Sequence, residues 1–307
     1  MNMIKKVPLP ICGVALGCAA LGNLLQSYSE GIRYFCGVLS AFFILLFMVK
    51  VICCPAMFKE DMNNPIMASV SGTFSMTWML LSTYLKPFIG PAAYYIWMLA
   101  IALHAVLIVY FTVKFIAKLQ LPKVFASYYI VYVGIVVASV TAPAYEKTGL
   151  GSILFWFGFV TLLLLFVLVT ARYVKCKEIP NPAKPLICIY AAPTSLCIAG
   201  YVQSVMPKSK TFLLAMLAAA TVIYIFALVK AIGYLKLPFF PSYASFTFPF
   251  VISAIATKQT MACMMNMGSP MPILSKLVLI ETIIAVVFVG YVYIRFLMFL
   301  FAAPQAK

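Results

Sequence analysis

Acidic residues and histidine are almost missing from this chain: Asp and Glu together number 6, and His 1, among 307 residues. Hydrolytic, lyase and metal chemistry draws on clusters of these side chains, as paired carboxylates, His–carboxylate relays or ligand sets. Single residues far apart in sequence exclude a buried catalytic centre of that kind, and an enzyme is not expected. A phosphate-binding glycine loop, H-E-x-x-H and G-x-S-x-G are missing as well. The cysteines at 12, 18, 36, 53, 54, 176, 188, 197 and 263 show no C-x-x-C spacing and lie mostly inside apolar runs. They read as small membrane hydrophobes, which excludes a disulfide framework and a zinc site. The adjacent pair Cys53 and Cys54 has the softness to bind a metal or oxidise, but at the inner end of an apolar run it reads as two reduced thiols. No cofactor and no metal are expected.

Charged residues of both signs make up only 9% of the chain, whereas 65% is hydrophobic. That apolar content supplies roughly ten membrane spans of about 20 residues each. The remainder is short loops, with no room for a soluble catalytic or nucleic-acid-binding domain. The fold class expected is an all-α polytopic membrane protein, one transmembrane domain over residues 1–307. The net charge of +16 then reflects basic cytoplasmic loops and a field that favours anions at the mouths of a pore.

The start, Lys5 and Lys6 followed by ICGVALGCAALGNLL, imitates a signal peptide, and Ala15-Leu16-Gly17-Cys18 imitates a lipoprotein cleavage box. Pro8 and Pro10 stand where a signal peptide begins its apolar run, so the segment is expected to be a retained helix. The same proline placement recurs. VPLPICGVALG, NNPIMASVSGTF, QLPKVFASYYIV, NPAKPLICIYAAP and LPFFPSYASFTFP each open an apolar span, and from Pro8 through Pro65, Pro122 and Pro185 to Pro241 the spacings are 57, 57, 63 and 56 residues. Proline favours a first helical turn in any case, but near-constant spacing predicts a repeat of two spans and two short connections. Five tandem helical hairpins follow, with repeats starting near residues 8, 65, 122, 185 and 241 and spans near 9, 31, 65, 90, 123, 149, 185, 211, 242 and 274.

Breakers and hydroxyls gather in the odd spans: Gly13 and Gly17, Ser69, Gly72 and Ser75, Ser127 and Gly134, Pro193, and Pro249. Even spans such as AFFILLFMVKVI are bulkier and uniformly apolar. Odd helices inside around a central pore and even helices outside keeps irregular backbone away from lipid. Fifteen Lys and Arg, from Lys5 and Lys6 to Lys307, fall on the N-terminus, the even-to-odd loops and the tail. Only Arg33, Lys86, Lys147, Lys208, Lys210, Lys258 and Lys276 fall on the other side. Both termini are therefore expected in the cytoplasm.

The most irregular span is Pro241–Thr257, PSYASFTFPFVISAIAT. A proline in a helix interior removes a hydrogen bond, here to the Ser245 carbonyl, at about 3 kcal/mol. Neighbouring helices, the hydroxyls of Ser245 and Thr247 or pore water re-satisfy such a break. A pore and a packing kink both remain open on this pattern. So do the roles of His104, a helix contact or a proton relay, and Glu281, which pairs with Lys276, snorkels or couples to transport. The run Met261–Met271, MACMMNMGSPM, reads as flexible apolar filling over a Cu(I) site.

The stretches KKVPLPICGVALGCAALGNLL, NNPIMASVSGTFSMTW, ICIYAAPTSLCIAGY and SYASFTFPFVISAIAT resemble the tellurite-resistance/C4-dicarboxylate transporter family. This family includes bacterial tellurite-resistance proteins, yeast malate permeases and plant guard-cell slow anion channels. The resemblance covers essentially the whole chain. It implies a homotrimer in the inner (plasma) membrane, each subunit with its own pore for small inorganic or organic anions, and no nucleic-acid partner. It also implies a phenylalanine that occludes the pore just before the break in the ninth span, by position Phe248, with Phe246 close by. Family pore helices are commonly kinked by a mid-span proline; this sequence has Pro193 and Pro249 but Ala15, Ser75 and Ser127 near the equivalent places. The activity implied is passive anion conduction, or alternatively proton-coupled transport of a C4-dicarboxylate such as malate, or of tellurite- or sulfite-type oxyanions. No Lys or Arg falls at the centre of an odd span, which suits weak binding in a channel; a dicarboxylate carrier would be expected to place a bidentate Arg there.

Overall fold

A computed structural model describes residues 2–302, all of them helical or in connections; Lys307, counted above among the basic residues, lies outside the described residues. Two kinds of segment alternate along the chain. Long continuous helices are α3 (Glu30–Cys53), α7 (Ala92–Phe111, prolonged by a π turn Thr112–Ile116), α10 (Thr148–Lys175), α12 (Lys210–Tyr234) and α14 (Ile273–Phe301). Their starts are written in sequence: the Ser29 hydroxyl caps α3 by accepting from the Ile32 N–H, and Ser209 does the same for Phe212 of α12. One face of each is exposed apolar surface, and only 28–44% of their most apolar stretches is buried. Such surface is stable when lipid covers it.

Between them run shorter, broken segments. The first is α1 (Asn2–Lys6) and α2 (Ile11–Leu25). After a surface helix α4 (Pro55–Asp61), the next is α5 (Pro65–Val70) and α6 (Gly72–Ile89), then α8 (Tyr128–Tyr132) and α9 (Val136–Thr141). The last two are a 3₁₀ stretch Asn181–Tyr190 leading into α11 (Ala191–Ser204), and a 3₁₀ stretch Pro241–Phe246 leading into α13 (Phe248–Asn266). Asn64 shows how proline opens such a segment: its side chain accepts from the Ile66 and Met67 N–H groups at 2.9 and 3.2 Å while Pro65 takes the first position, where an N–H has no helical partner.

Six helical stretches are long and apolar enough to cross a membrane: the five long helices and Asn181–Ser204, the last 94% buried. The other broken segments fall short because Ser, Thr and Gly dilute them or a break divides them. Each packs on the long helix that follows, α2 on α3, α6 on α7, α9 on α10, α11 on α12 and α13 on α14.

Side-chain hydrogen bonds join the broken segments into a closed ring. Thr77 donates to the Cys12 carbonyl at 3.3 Å, Ser69 and Ser127 share a bond of 2.7 Å, and Ser204 donates to the Ser139 carbonyl at 2.6 Å. Ser245 donates to the Pro185 carbonyl at 2.6 Å, and Thr247 closes the circle on the Gly13 carbonyl at 3.1 Å. The four partners along the chain are 58 to 65 residues apart, about one proline period. Repetition in sequence has become adjacency in space.

Pro249 does not sit within a continuous helix. The 3₁₀ stretch ends at Phe246, Thr247 turns the chain with φ −97° and ψ −89°, and Pro249 falls in the first turn of α13. The hydrogen bond a mid-helix proline would forfeit is not formed there by any residue, so the cost expected from the sequence does not arise. Pro193 likewise occupies the first turn of α11, after a 3₁₀ stretch. Where the sequence offers no proline the chain still breaks. At Gly134, between α8 and α9, a Cβ would lie 2.8 Å from Met76 Sδ and 3.0 Å from His104 Cε1 and would strike the Ile130 carbonyl. Only glycine fits.

Candidate functional site: an apolar cavity ending at Phe248

The five broken segments enclose a cavity of about 570 Å³. At its mouth stand residues that open the segments, among them Asn64, Pro65, Pro122, Pro180 and Pro241. Its lining follows each segment to mid-length and no further, ending at Leu16, Met76, Gly134, Leu196 and Pro249. Along the wall the lining residues recur at every third position, as in Pro10, Gly13, Leu16 and Met67, Val70, Thr73, Met76. All of these positions but Pro10 lie in α-helices, where residues i and i+3 share one face.

The inner end is apolar. Phe248, 6% exposed, faces the cavity there with Leu16, Met76, Val133 and Leu196. Its position is fixed by the break before it, because Thr247 is anchored through its hydroxyl to the Gly13 and Ala244 carbonyls at 3.1 and 2.7 Å. Gly17 permits this approach: a Cβ on Gly17 would lie 2.6 Å from Thr247 Cβ and 3.1 Å from the Phe248 nitrogen. Gly17, Thr247 and Phe248 thus form one contact, although 230 residues separate Gly17 from Thr247.

The remaining sequence-derived candidates divide in two. Pro193, Pro249 and Ser245 line the cavity beside Phe248. Phe246, Thr247, Gly17, Ser75 and Ser127 are not among its lining residues. Phe246 is fully buried against Tyr243 and Phe288, with ring centroids 4.9 and 5.9 Å away. Ser127 pairs with Ser69 at 2.7 Å. Ser75 meets His104 Nδ1 at 2.7 Å, while His104 Nε2 lies 2.9 Å from the Val131 carbonyl. That carbonyl can only accept, so Nε2 carries the proton and Ser75 donates to Nδ1. With both nitrogens satisfied, His104 fastens α7 to α6 and α8.

Glu281 does not pair with Lys276 and does not reach outward. It is 2% exposed and lies behind α13, in a small closed pocket with Tyr224, Ser195, Ser253 and Thr257. The two ion pairs among the described residues are Arg33–Glu30 and Lys50–Asp61. In the methionine run Cys263 Sγ and Met267 Sδ touch at 3.7 Å, and Met265 is exposed.

Sequence reading missed the apolar inner end and one charged wall residue, Arg172. The three-residue stride could have disclosed the former, since it runs through Leu16 and Met76, one position away from Gly17 and Ser75. Nothing local marks Arg172, which comes from the last turn of a long helix.

A search of curated proteins finds no match to the chain. The sequence profile described as voltage-dependent anion channel, by contrast, matches residues 6–297, nearly the whole of it. With an all-helical fold, outward apolar helices and a cavity walled by five buried segments, the chain is a membrane protein that belongs to the voltage-dependent anion channel family.

Proposed function

We propose that the protein is a passive anion channel in which ten membrane crossings, arranged as five tandem hairpins, surround a central pore gated by Phe248. The observation that supports this reading best is the cavity, drawn from all five broken segments and ending in an apolar constriction at Phe248. A phenyl ring in a narrow lumen fills it and leaves a surface from which water withdraws, so a hydrated ion meets a desolvation barrier. The wall offers hydroxyls and backbone dipoles at mid-depth in place of a charge, which suits rapid passage over tight binding. The same reading puts both termini on the cytoplasmic side of the inner membrane and groups three subunits, each with its own pore.

The test is flux of chloride, nitrate and malate into liposomes holding the purified protein. Phe248→Ala is expected to raise anion flux at least about tenfold, the removal of a barrier of roughly 1.4 kcal/mol. Unchanged flux through correctly folded Phe248→Ala protein would overturn the gate, and a reversal potential that follows potassium would overturn the selectivity. A proton-coupled carrier of dicarboxylates or of tellurite- or sulfite-type oxyanions has one observation in its favour, the buried carboxyl of Glu281 behind α13. Malate flux that requires a proton gradient would favour it.

A further inference from the structure

We propose that the wall of the cavity near its mouth holds a subsite for a singly charged planar oxyanion, of the nitrate or monocarboxylate type, built on Arg172, Tyr129 and Ser242; this rests on reading the cavity as the anion path. Arg172 lines the cavity and is 1% exposed, yet no carboxylate oxygen lies within ion-pair distance of it among the described residues. Its guanidinium stacks on the Phe125 ring at 4.2 Å and lies 4.9 Å from that of Tyr173. One terminal nitrogen donates to the Cys176 carbonyl at 3.3 Å and the other to the Pro122 carbonyl at 3.4 Å. Nε is buried with no partner. Withdrawing a cation from water without a counter-ion is expensive, and an ionisable group kept in such a place inside a membrane protein marks a functional site by default.

Two further unpaired groups line the same cavity from other segments. The Tyr129 hydroxyl, from α8, and the Ser242 hydroxyl, from the 3₁₀ stretch before Phe248, are both buried without a hydrogen-bond partner. An unmade bond at a buried donor costs about 1–3 kcal/mol, and more at a charged one. Three donors on three elements, each lacking an acceptor, call for one ligand that brings negative charge and several acceptor oxygens. None of the three atoms is on the open surface, so the ligand reaches them through side-chain rotation at the wall.

The chemistry narrows the ligand. A guanidinium edge reads the coplanar oxygens of a carboxylate or nitrate, and a spherical halide cannot match that geometry. Glu178 and Lys123 also line the cavity with opposite charges, so together they add no net positive charge that would favour a dianion. The rest of the wall is mostly apolar and gives a second anionic group nothing to bind.

The test uses the purified full-length protein in lipid nanodiscs at constant ionic strength. The thermal unfolding midpoint is followed against sodium nitrate, sodium formate and sodium chloride. Nitrate and formate are expected to raise the midpoint saturably, and chloride to produce no saturable rise. Arg172→Lys, which keeps the charge and loses the planar edge, is expected to raise the half-saturating nitrate concentration at least about tenfold. Tyr129→Phe and Ser242→Ala, which keep shape and fold, are each expected to raise it about threefold or more. Those two carry the test if Arg172→Lys does not fold. Variants that lower the ligand-free midpoint but leave half-saturation unchanged would reveal a purely structural Arg172 and overturn the subsite, as would chloride stabilising as well as nitrate. Binding is read without flux, so a silent flux assay overturns the channel while leaving the subsite standing, and lost binding does the reverse.

Discussion

The broken inner segments and the long outer helices obey the same constraint by opposite means. In lipid every backbone polar group needs an internal partner. The outer helices meet this by unbroken hydrogen bonding over 20 to 29 residues, which leaves their side chains free to be uniformly apolar. The inner segments abandon regularity at Ser71, at Val133–Ile135, at Tyr190 and at Thr247, and side chains of other segments reach carbonyls close to two of these breaks, Ser253 at Ala191 (3.3 Å) and His104 at Val131 (2.9 Å). Polarity in this sequence is therefore concentrated where the backbone is irregular. It follows that an inner residue should resist substitution through packing and an outer one should not.

The largest expected difference is between rings of the inner set and apolar side chains of the outer one. Phe246→Ala should cost about 3–5 kcal/mol, because a fully buried ring leaves a cavity between Pro241–Phe246 and α14. Val106→Ala on α7, where the side chain is 65% exposed, should stay within about 0.5 kcal/mol. Unfolding in mild detergent measures both. Phe246→Ala should also raise flux far less than Phe248→Ala, since Phe246 is not among the cavity-lining residues. Equal flux gains would remove the distinction between a packing ring and a gate.

Glycines sharpen the comparison with a change of sign. Gly17→Ala must push α2 away from the break at Thr247, with a Cβ only 2.6 Å from Thr247 Cβ, and overpacking of this kind costs about 1–3 kcal/mol. Gly233→Ala on α12 has nothing within 4 Å of the new Cβ and should gain about 0.5–1 kcal/mol from helix propensity. A destabilised Gly233→Ala would show that something in the membrane, a lipid or another subunit, already occupies that surface.

How much of this was legible follows from the same contrast. Alternation was readable because proline spacing and the segregation of Ser, Thr and Gly are local facts; the sequence puts the break at Pro249, after Phe248, whereas the chain turns at Thr247, before it. Whether Ser75 and Ser127, pore-lining or kink candidates in the sequence, would line the cavity was not readable. A hydroxyl in an odd span can face a lumen or a neighbour, and sequence does not say which; here His104 and Ser69 claim them. Ring closure through Thr247 and Gly13 is a contact between residues 234 apart, which no periodicity encodes. Arg172 was counted as loop charge because its segment, α10, is otherwise an outer helix. Its burial depends on where Pro122 and Phe125 of another repeat come to rest.

The smallest predicted effect tests the ring itself. Ser69 and Ser127 share a 2.7 Å bond between the second and third broken segments, and Ser69 Oγ also lies 2.8 Å from the Ile66 carbonyl of its own helix. Ser69 is the donor in both contacts and shares its one proton between the Ser127 hydroxyl oxygen and the Ile66 carbonyl. Removing the Ser127 hydroxyl leaves Ser69 bonded within its own helix, whereas removing Ser69 takes away the donor of both contacts. Ser69→Ala is therefore expected to cost more than Ser127→Ala. A double-mutant cycle should return a coupling near the ~0.6 kcal/mol typical of inter-helix hydrogen bonds in membranes. Thr161→Ala on α10, whose hydroxyl bonds only within its own helix at 3.0 Å, is the outer counterpart and should show no coupling to either serine. A Ser69–Ser127 coupling of zero would mean that packing alone closes the ring and that the hydroxyls merely avoid being unsatisfied.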